Sequence, residues 1–258
     1  MIDLTLIYDT ESFFQRGLTK MVRNKTILGS YLVEPIAFLV LFSQMFTKLG
    51  DFLPSSAGGY VAYLTPGILV FCALIGSVQG GVSIVNDLNS GFLSKVLLTQ
   101  SSRSAILLGR LLTDMSLVVI EAVITIVTAI VMGVTVSTGL PGVLLILFTV
   151  ALFEMALSGM FLAIGLATRK TETLSAVSGF LYLPLIFLST AMFPASFLPD
   201  WAQTASNYNP VTYVANVTRE LVSGGLNLNT VAEGYIFTGI IALITFAVTL
   251  YQFRKVIS

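Results

Sequence analysis

The sequence contains no histidine and one cysteine, Cys72, which sits in an apolar run. An intrachain disulfide is therefore excluded, and neither a His/Cys metal site nor a Cys–His catalytic pair is available. Catalytic and metal-ligating residues are accordingly expected to be absent. Charge is also scarce: only 10% of the 258 residues are Asp, Glu, Lys or Arg, against roughly 25% in a soluble domain. Less than half the usual density cannot cover a water-exposed surface, so much of this surface must face lipid. Thirteen basic residues balance thirteen acidic ones and form no basic tract, which argues against nucleic acid as a partner. No G-x-x-x-x-G-K-[ST] loop occurs, so no nucleotide-binding loop of that type is expected in this chain. Energy for any transport must come from another chain or from an ion gradient. The first residues are acidic (Asp3, Asp9, Glu11) rather than basic-then-apolar, so they do not read as a cleavable signal.

What is present in abundance is apolar length: 55% of the residues are hydrophobic. A helix needs about 20 mostly apolar residues to cross the hydrocarbon core. Six segments meet that need, at about 31–47, 60–85, 105–135, 142–167, 174–193 and 234–253. Residues 1–30 then form an N-terminal segment and 31–258 a six-span transmembrane domain. The charge-free stretch Trp201–Thr218 is rich in Gln, Ser, Thr and Asn and is interrupted by Pro210. It is too polar for a span, and is expected to dip into the outer interface and return.

Orientation follows from Lys and Arg. With six spans, Arg16, Lys20, Arg23, Lys25, Lys95, Arg103, Arg110, Arg169, Lys170, Arg254 and Lys255 share one side, leaving only Lys48 and Arg219 opposite. Both termini are therefore expected in the cytoplasm. A seventh span would eject Arg254 and Lys255.

Residues 12–29 read as an amphipathic helix along the cytoplasmic interface. Phe14, Leu18, Met21, Val22 and Leu28 form its apolar side, Arg16, Lys20 and Arg23 its polar side, and Ser12 with Gln15 a capping box at its start. In the cytoplasmic link 86–104, Phe92, Leu93, Val96 and Leu97 recur at helical spacing among polar residues. That pattern predicts a short membrane-parallel helix with an apolar patch suited to docking a partner; a helix lying on the bilayer with no partner is the plain alternative. The outer stretch 194–233 carries three prolines, Pro194 and Pro199 near its start and Pro210 in the pair Asn209-Pro210, so chain breaks are expected near 193–199 and 209. Trp201 and the tyrosines there are suited to interface anchoring.

Two acids lie deep in apolar runs. Glu121 is roughly 16 Å along its helix from Arg110, and Glu154 roughly 21 Å from Thr168. A carboxylate facing lipid at that depth costs about 2.5–3.5 kcal/mol, so both should face protein or water. Lining a polar path and fixing helix packing are the two readings; Thr125 and Thr128 share a face with Glu121, and Ser158 with Glu154. Gly76 and Gly80 form a GxxxG in the second span, which favours close helix approach within the bundle.

The two loops, in this order within six spans, resemble the membrane subunit of type-2 ATP-binding-cassette exporters, daunorubicin-resistance and nodulation-factor-export permeases in particular. The matching residues are Asp87, Gly91, Leu97, Leu98, Arg103, Gly109 and Arg110, then Pro199, Trp201, Asn209, Pro210, Thr212, Tyr213 and Arg219. Lys95 departs from the pattern, because the family often carries an acidic residue there. The resemblance implies that the N-terminal helix and the residues Asp87, Gly91, Phe92, Lys95, Val96, Leu97 and Arg103 contact a separate ATPase. It also implies that ATP and Mg act in that ATPase, present in two copies, and that a second permease subunit completes the path. Trp201, Asn209, Pro210 and Tyr213 would form an outer hairpin or gate. An ion-coupled secondary transporter using Glu121 and Glu154 is the alternative, although the paired inverted repeats common in that class are not visible.

Overall fold

The computed structural model describes residues 4–48, 59–98, 102–224 and 227–256, and every regular element among them is helical. In chain order these are α1 (Leu4–Arg23), α2 (Lys25–Met45), α3 (Tyr60–Asn89), α4 (Phe92–Leu97), α5 (Arg103–Val131), α6 (Gly139–Thr168) and α7 (Thr171–Phe187). After them come α8 (Asp200–Ser206), α9 (Pro210–Arg219) and α10 (Leu228–Val256). A 3-10 turn, Ala195–Phe197, precedes α8, and a π-turn, Glu220–Gly224, follows α9.

Five helices are long and apolar enough to cross a membrane: α2, α3, α5, α6 and α10. At the fifth expected span, 174–193, the helix is shorter than the apolar run. α7 ends at Phe187 after 17 residues, roughly 26 Å of helix, at the low end of spanning length. Pro184 lies in its last turn, and the chain beyond leaves the helical path. The N-terminal helix also differs from the expected 12–29. It starts by Leu4, so Ser12 is an interior residue whose hydroxyl donates back to the Tyr8 carbonyl, and Gln15 donates to the Glu11 side chain. There is no capping box at Ser12; the helical pattern simply continues upstream. Asn24 separates α1 from α2, which begins at Lys25 rather than near residue 31.

Lipid removes the hydrophobic drive between helices, so packing relies on close approach of small residues. α6 lies along both α3 and α10 at the centre of the bundle. At the α3–α6 crossing, a Cβ on Gly81 would come within 2.9 Å of the Phe161 carbonyl oxygen, and on the side of α3 that meets α5 one on Gly80 would collide with Asp114. The GxxxG of α3 is thus spent inside the bundle. Where α1 crosses α5, a Cβ on Gly109 would stand 2.6 Å from Cβ of Phe13, and one on Gly17 would strike Thr113.

The buried apolar residues divide into two clusters along the bundle. One gathers Leu64, Ile68, Ile146, Phe153 and Val214 with the ends that precede or follow the outer loops. The other gathers Ile84, Leu93, Ile106, Leu166, Leu174 and Phe253. The second cluster therefore joins α3's end, α4, and the ends of α5, α6, α7 and α10 that adjoin the basic residues. α3, at 30 residues, is roughly 45 Å long and outreaches a hydrocarbon core of about 30 Å, so Asp87 stands near the polar boundary.

Candidate coupling and translocation site

The chain reverses after α3 through Ser90 and Gly91. Gly91 adopts φ 70°, the left-handed conformation open to glycine, and caps α4. α4 then lies against the end of α3, with Leu93 fully buried and Lys95 and Leu98 exposed. Val96 is half-buried, as is Arg103 at the start of α5. Leu97 belongs to α4, but its side chain lies outside the described residues.

Asp87 was expected on the docking loop; it is instead turned inward, 8% exposed. Lys20 and Arg16, one turn apart on α1, reach its two carboxylate oxygens at 3.0 and 3.4 Å. These cations were expected on the solvated side of α1, and they pin α1 to α3. The Arg16 guanidinium also covers the Phe92 ring, 3.4 Å from its centroid, which links α1 to α4 directly. On the apolar side of α1, Phe14, Leu18 and Met21 are half-buried and Val22 is exposed.

From Asp87 a line of polar contacts runs into the bundle. Lys20 reaches Ser83 Oγ at 3.4 Å, and Arg110 donates to the same oxygen at 2.9 Å. Arg110 pairs with Asp114 at 2.9 Å. Ser158 Oγ lies 3.4 Å from Asp114 Oδ2 and 2.9 Å from Glu154 Oε1. One hydroxyl proton serves one acceptor at a time, so Ser158 stands between two buried acids that compete for it. Asp114 went unnoticed in the sequence, yet it follows Arg110 by four residues and precedes Glu121 by seven, which puts all three on one helix face.

Glu121 and Glu154 are both buried, and each keeps one carboxylate oxygen without a hydrogen-bond partner among the described residues. They are not brought into one passage. Glu154 is packed between Gly76 of α3 and Ser158. Glu121 instead borders a cavity of about 380 Å³ between α1, α2, α3 and α5, together with Tyr31, Glu34 and Gln79. Thr125 bonds the Glu121 backbone carbonyl, leaving its carboxylate to the cavity.

The outer segment folds as two short helices with the expected break at 207–209, and neither is long enough to span. Asn209 holds it to the bundle. Its Oδ1 accepts from the Val211 N–H as the cap of α9, while its Nδ2 donates to the Leu185 and Leu188 carbonyls, both at 2.8 Å. Those carbonyls are the orphaned acceptors at the end of α7. Pro210 supplies the first residue of α9, where no N–H is needed. Tyr213 stacks on Phe237 of α10 with centroids 4.5 Å apart, and its hydroxyl donates to the Asn207 carbonyl. Arg219 donates to the Thr190 carbonyl at 2.8 Å and covers the Tyr63 ring at 4.0 Å. Trp201 stays 66% exposed, in keeping with an interface anchor.

A bundle of long apolar helices, tied at one end to an amphipathic helix and a short loop helix, defines a multi-span membrane protein. The profile of the ABC-2 type transporter family matches residues 8–222, and the chain belongs to that family. It is 28% identical over 210 residues to a putative transport permease, Ycf38, of Cyanophora paradoxa, covering 81% of this chain and 72% of that one. It is 26% identical over 220 residues to a daunorubicin-resistance ABC transporter permease of Streptomyces coeruleorubidus, covering 85% and 77%. A probable doxorubicin-resistance ABC transporter permease of Mycobacterium tuberculosis is 24% identical over 211 residues, covering 81% and 75%.

Proposed function

We propose that this chain is the permease subunit of an exporter in the cell membrane, moving a small amphiphile, lipid or glycan outward on ATP hydrolysed by a separate subunit. The observation that carries the reading is the continuous set of contacts from Phe92 through Arg16, Asp87, Lys20, Ser83, Arg110, Asp114 and Ser158 to Glu154. Such a chain gives a displacement of α4 a physical route to the middle of the bundle. Exposed Lys95 and Leu98 on and beside α4 offer a mixed basic and apolar surface for a cytoplasmic ATPase. In this reading six helices span, α7 being the short one, and both termini are cytoplasmic. Two permease subunits flank the path and two ATPase subunits hold the ATP and Mg. Glu121 and Glu154 supply polar groups within the membrane, and the α8–α9 hairpin closes the outer end. The drug-resistance names of the two bacterial relatives favour a small amphiphile over a long polymer.

The unpartnered oxygens of Glu121 and Glu154 also suit an ion-coupled carrier, in which these acids bind the driving ion. The two readings separate in proteoliposomes. An exporter of the first kind accumulates substrate only with the ATPase subunit and ATP, and collapsing the proton gradient leaves uptake intact. Uptake by the chain alone, driven by a gradient, would overturn it. Copurification adds a second check: the ATPase should leave when Phe92 and Val96 are both made Ser.

A further inference from the structure

The cavity beside Glu121 is walled by α1, α2, α3 and α5 within a single chain. Its volume, about 380 Å³, falls within the range of small-molecule sites, about 300–1,000 Å³. Its charge is one-sided. Lys20 and Arg110 touch it, but Lys20 is paired with Asp87 and Arg110 with Asp114. The carboxylates of Glu34 and Glu121 have no cationic partner among the described residues. Glu121 is 3% exposed, borders the cavity and keeps Oε2 unbonded. Gln79 of α3 is exposed and borders the cavity, and Tyr31 offers an aromatic face. Ile75 and Val82 make up apolar wall.

We propose that this cavity is a binding site for an organic ammonium carrying an apolar body, its cation held between Glu121 and Glu34 beside Tyr31 and its body against Ile75 and Val82. A carboxylate without a partner in a low-dielectric wall favours a charged donor over a neutral one, and an aromatic face adds attraction for ammonium. An anion is disfavoured by both acids. A bare divalent cation takes six or more oxygen ligands, and no cluster of three or more metal-binding side chains exists among the described residues. The proposal deepens the export reading by naming a substrate class, and rests on that reading for outward movement but not for binding.

The test uses the full chain in phosphatidylcholine nanodiscs and radiolabelled dodecylammonium, with empty discs as the partition blank. A saturable site is expected, displaced by unlabelled dodecylammonium and not by dodecanol or dodecyl phosphate. E121Q and E34Q should each weaken binding by about tenfold, the loss of a charge-assisted bond. I75W should abolish binding by filling the cavity, whereas E233Q, on the exposed start of α10, should bind as the parent does. Adding phosphatidylethanolamine to the discs identifies the source. A weaker apparent probe affinity marks an aminolipid occupant, an unchanged one an exogenous amine, and both support the ammonium site. Equal competition by dodecanol, or parental binding in both monodisperse Gln variants, overturns it. Binding without ATP-driven amine transport would leave the site and remove only its part in export, the export reading itself standing or falling on the proteoliposome test; transport of amines without this binding would remove the site alone.

Discussion

Arg16 lies over the ring of Phe92 while its guanidinium reaches Asp87, so one side chain of α1 contacts both the loop helix and the end of α3. A shift of α4 is therefore expected to carry α1 and α3 with it. This contact should matter for coupling more than for stability. Arg16 and Lys20 are more than a third exposed, and pairs of that kind contribute about 0.2–1 kcal/mol.

Asp87→Asn is accordingly expected to leave the thermal midpoint of the purified chain nearly unchanged. ATP-driven transport in the assembled complex should fall by about tenfold, the scale of a lost pair plus a misplaced cation–π contact. Phe92→Ala should act in the same direction. The readout is substrate moved per ATP hydrolysed; an unchanged ratio in both variants would show that α1 plays no part in coupling.

The Arg110–Asp114 pair should behave in the opposite way. Both side chains are mostly buried, and removing one partner of such a pair leaves an uncompensated charge that costs about 3–5 kcal/mol. Asp114→Ala alone should sharply lower the melting temperature in detergent. Replacing both, as R110M with D114L, should recover much of the loss because no lone charge remains. A double variant no more stable than the single one would assign the loss to Ser158 and its neighbours instead.

Topology can be read with cysteine chemistry, because Cys72 is the only thiol and is buried. In a Cys72→Ala background, a cysteine at Lys170 should react with an impermeant maleimide only from the cytoplasmic face, and one at Glu233 only from the outer face. Reaction of the Glu233 position from the cytoplasmic face, with Lys170 on that same face, would make α7 something other than a span, and reaction of Lys170 from outside would overturn the orientation as a whole.

Apolar length and proline placement made most of the bundle legible in advance. The outer breaks fell at the prolines and at Asn209, and the Glu154–Ser158 contact followed from residues four apart on one face. Helix starts were harder. Amphipathic spacing does not say where a helix begins, and Ser12 resembled a cap although residues 4–11 continue the same helix. The role of Asp87 was hidden for a different reason. A polar residue in a loop next to a docking patch reads as surface, and only the crossing of α1 over α3 shows it turned inward. Glu34 and Asp114 are also acids within apolar runs, and the sequence reading passed over both. Their neighbours, a cavity in one case and Ser158 of another helix in the other, depend on contacts far apart in sequence.

Asn209 separates a cap from a clamp by chemistry. Its carbonyl oxygen caps α9 and its amide nitrogen donates to two carbonyls at the end of α7. Asn209→Asp keeps the acceptor, so the cap survives, but it loses both donors and brings a negative charge to two carbonyl oxygens. Asn209→Ala loses cap and donors without adding charge. If the nitrogen matters only as packing, Asp should be better tolerated than Ala. The 2.8 Å bonds to Leu185 and Leu188 predict the reverse order, with Ala costing about 1–3 kcal/mol and Asp costing more through repulsion. Melting temperatures of the two variants in detergent decide it. The same order in substrate transport would mean that the α8–α9 segment has to stay tied to α7 for the outer end to work.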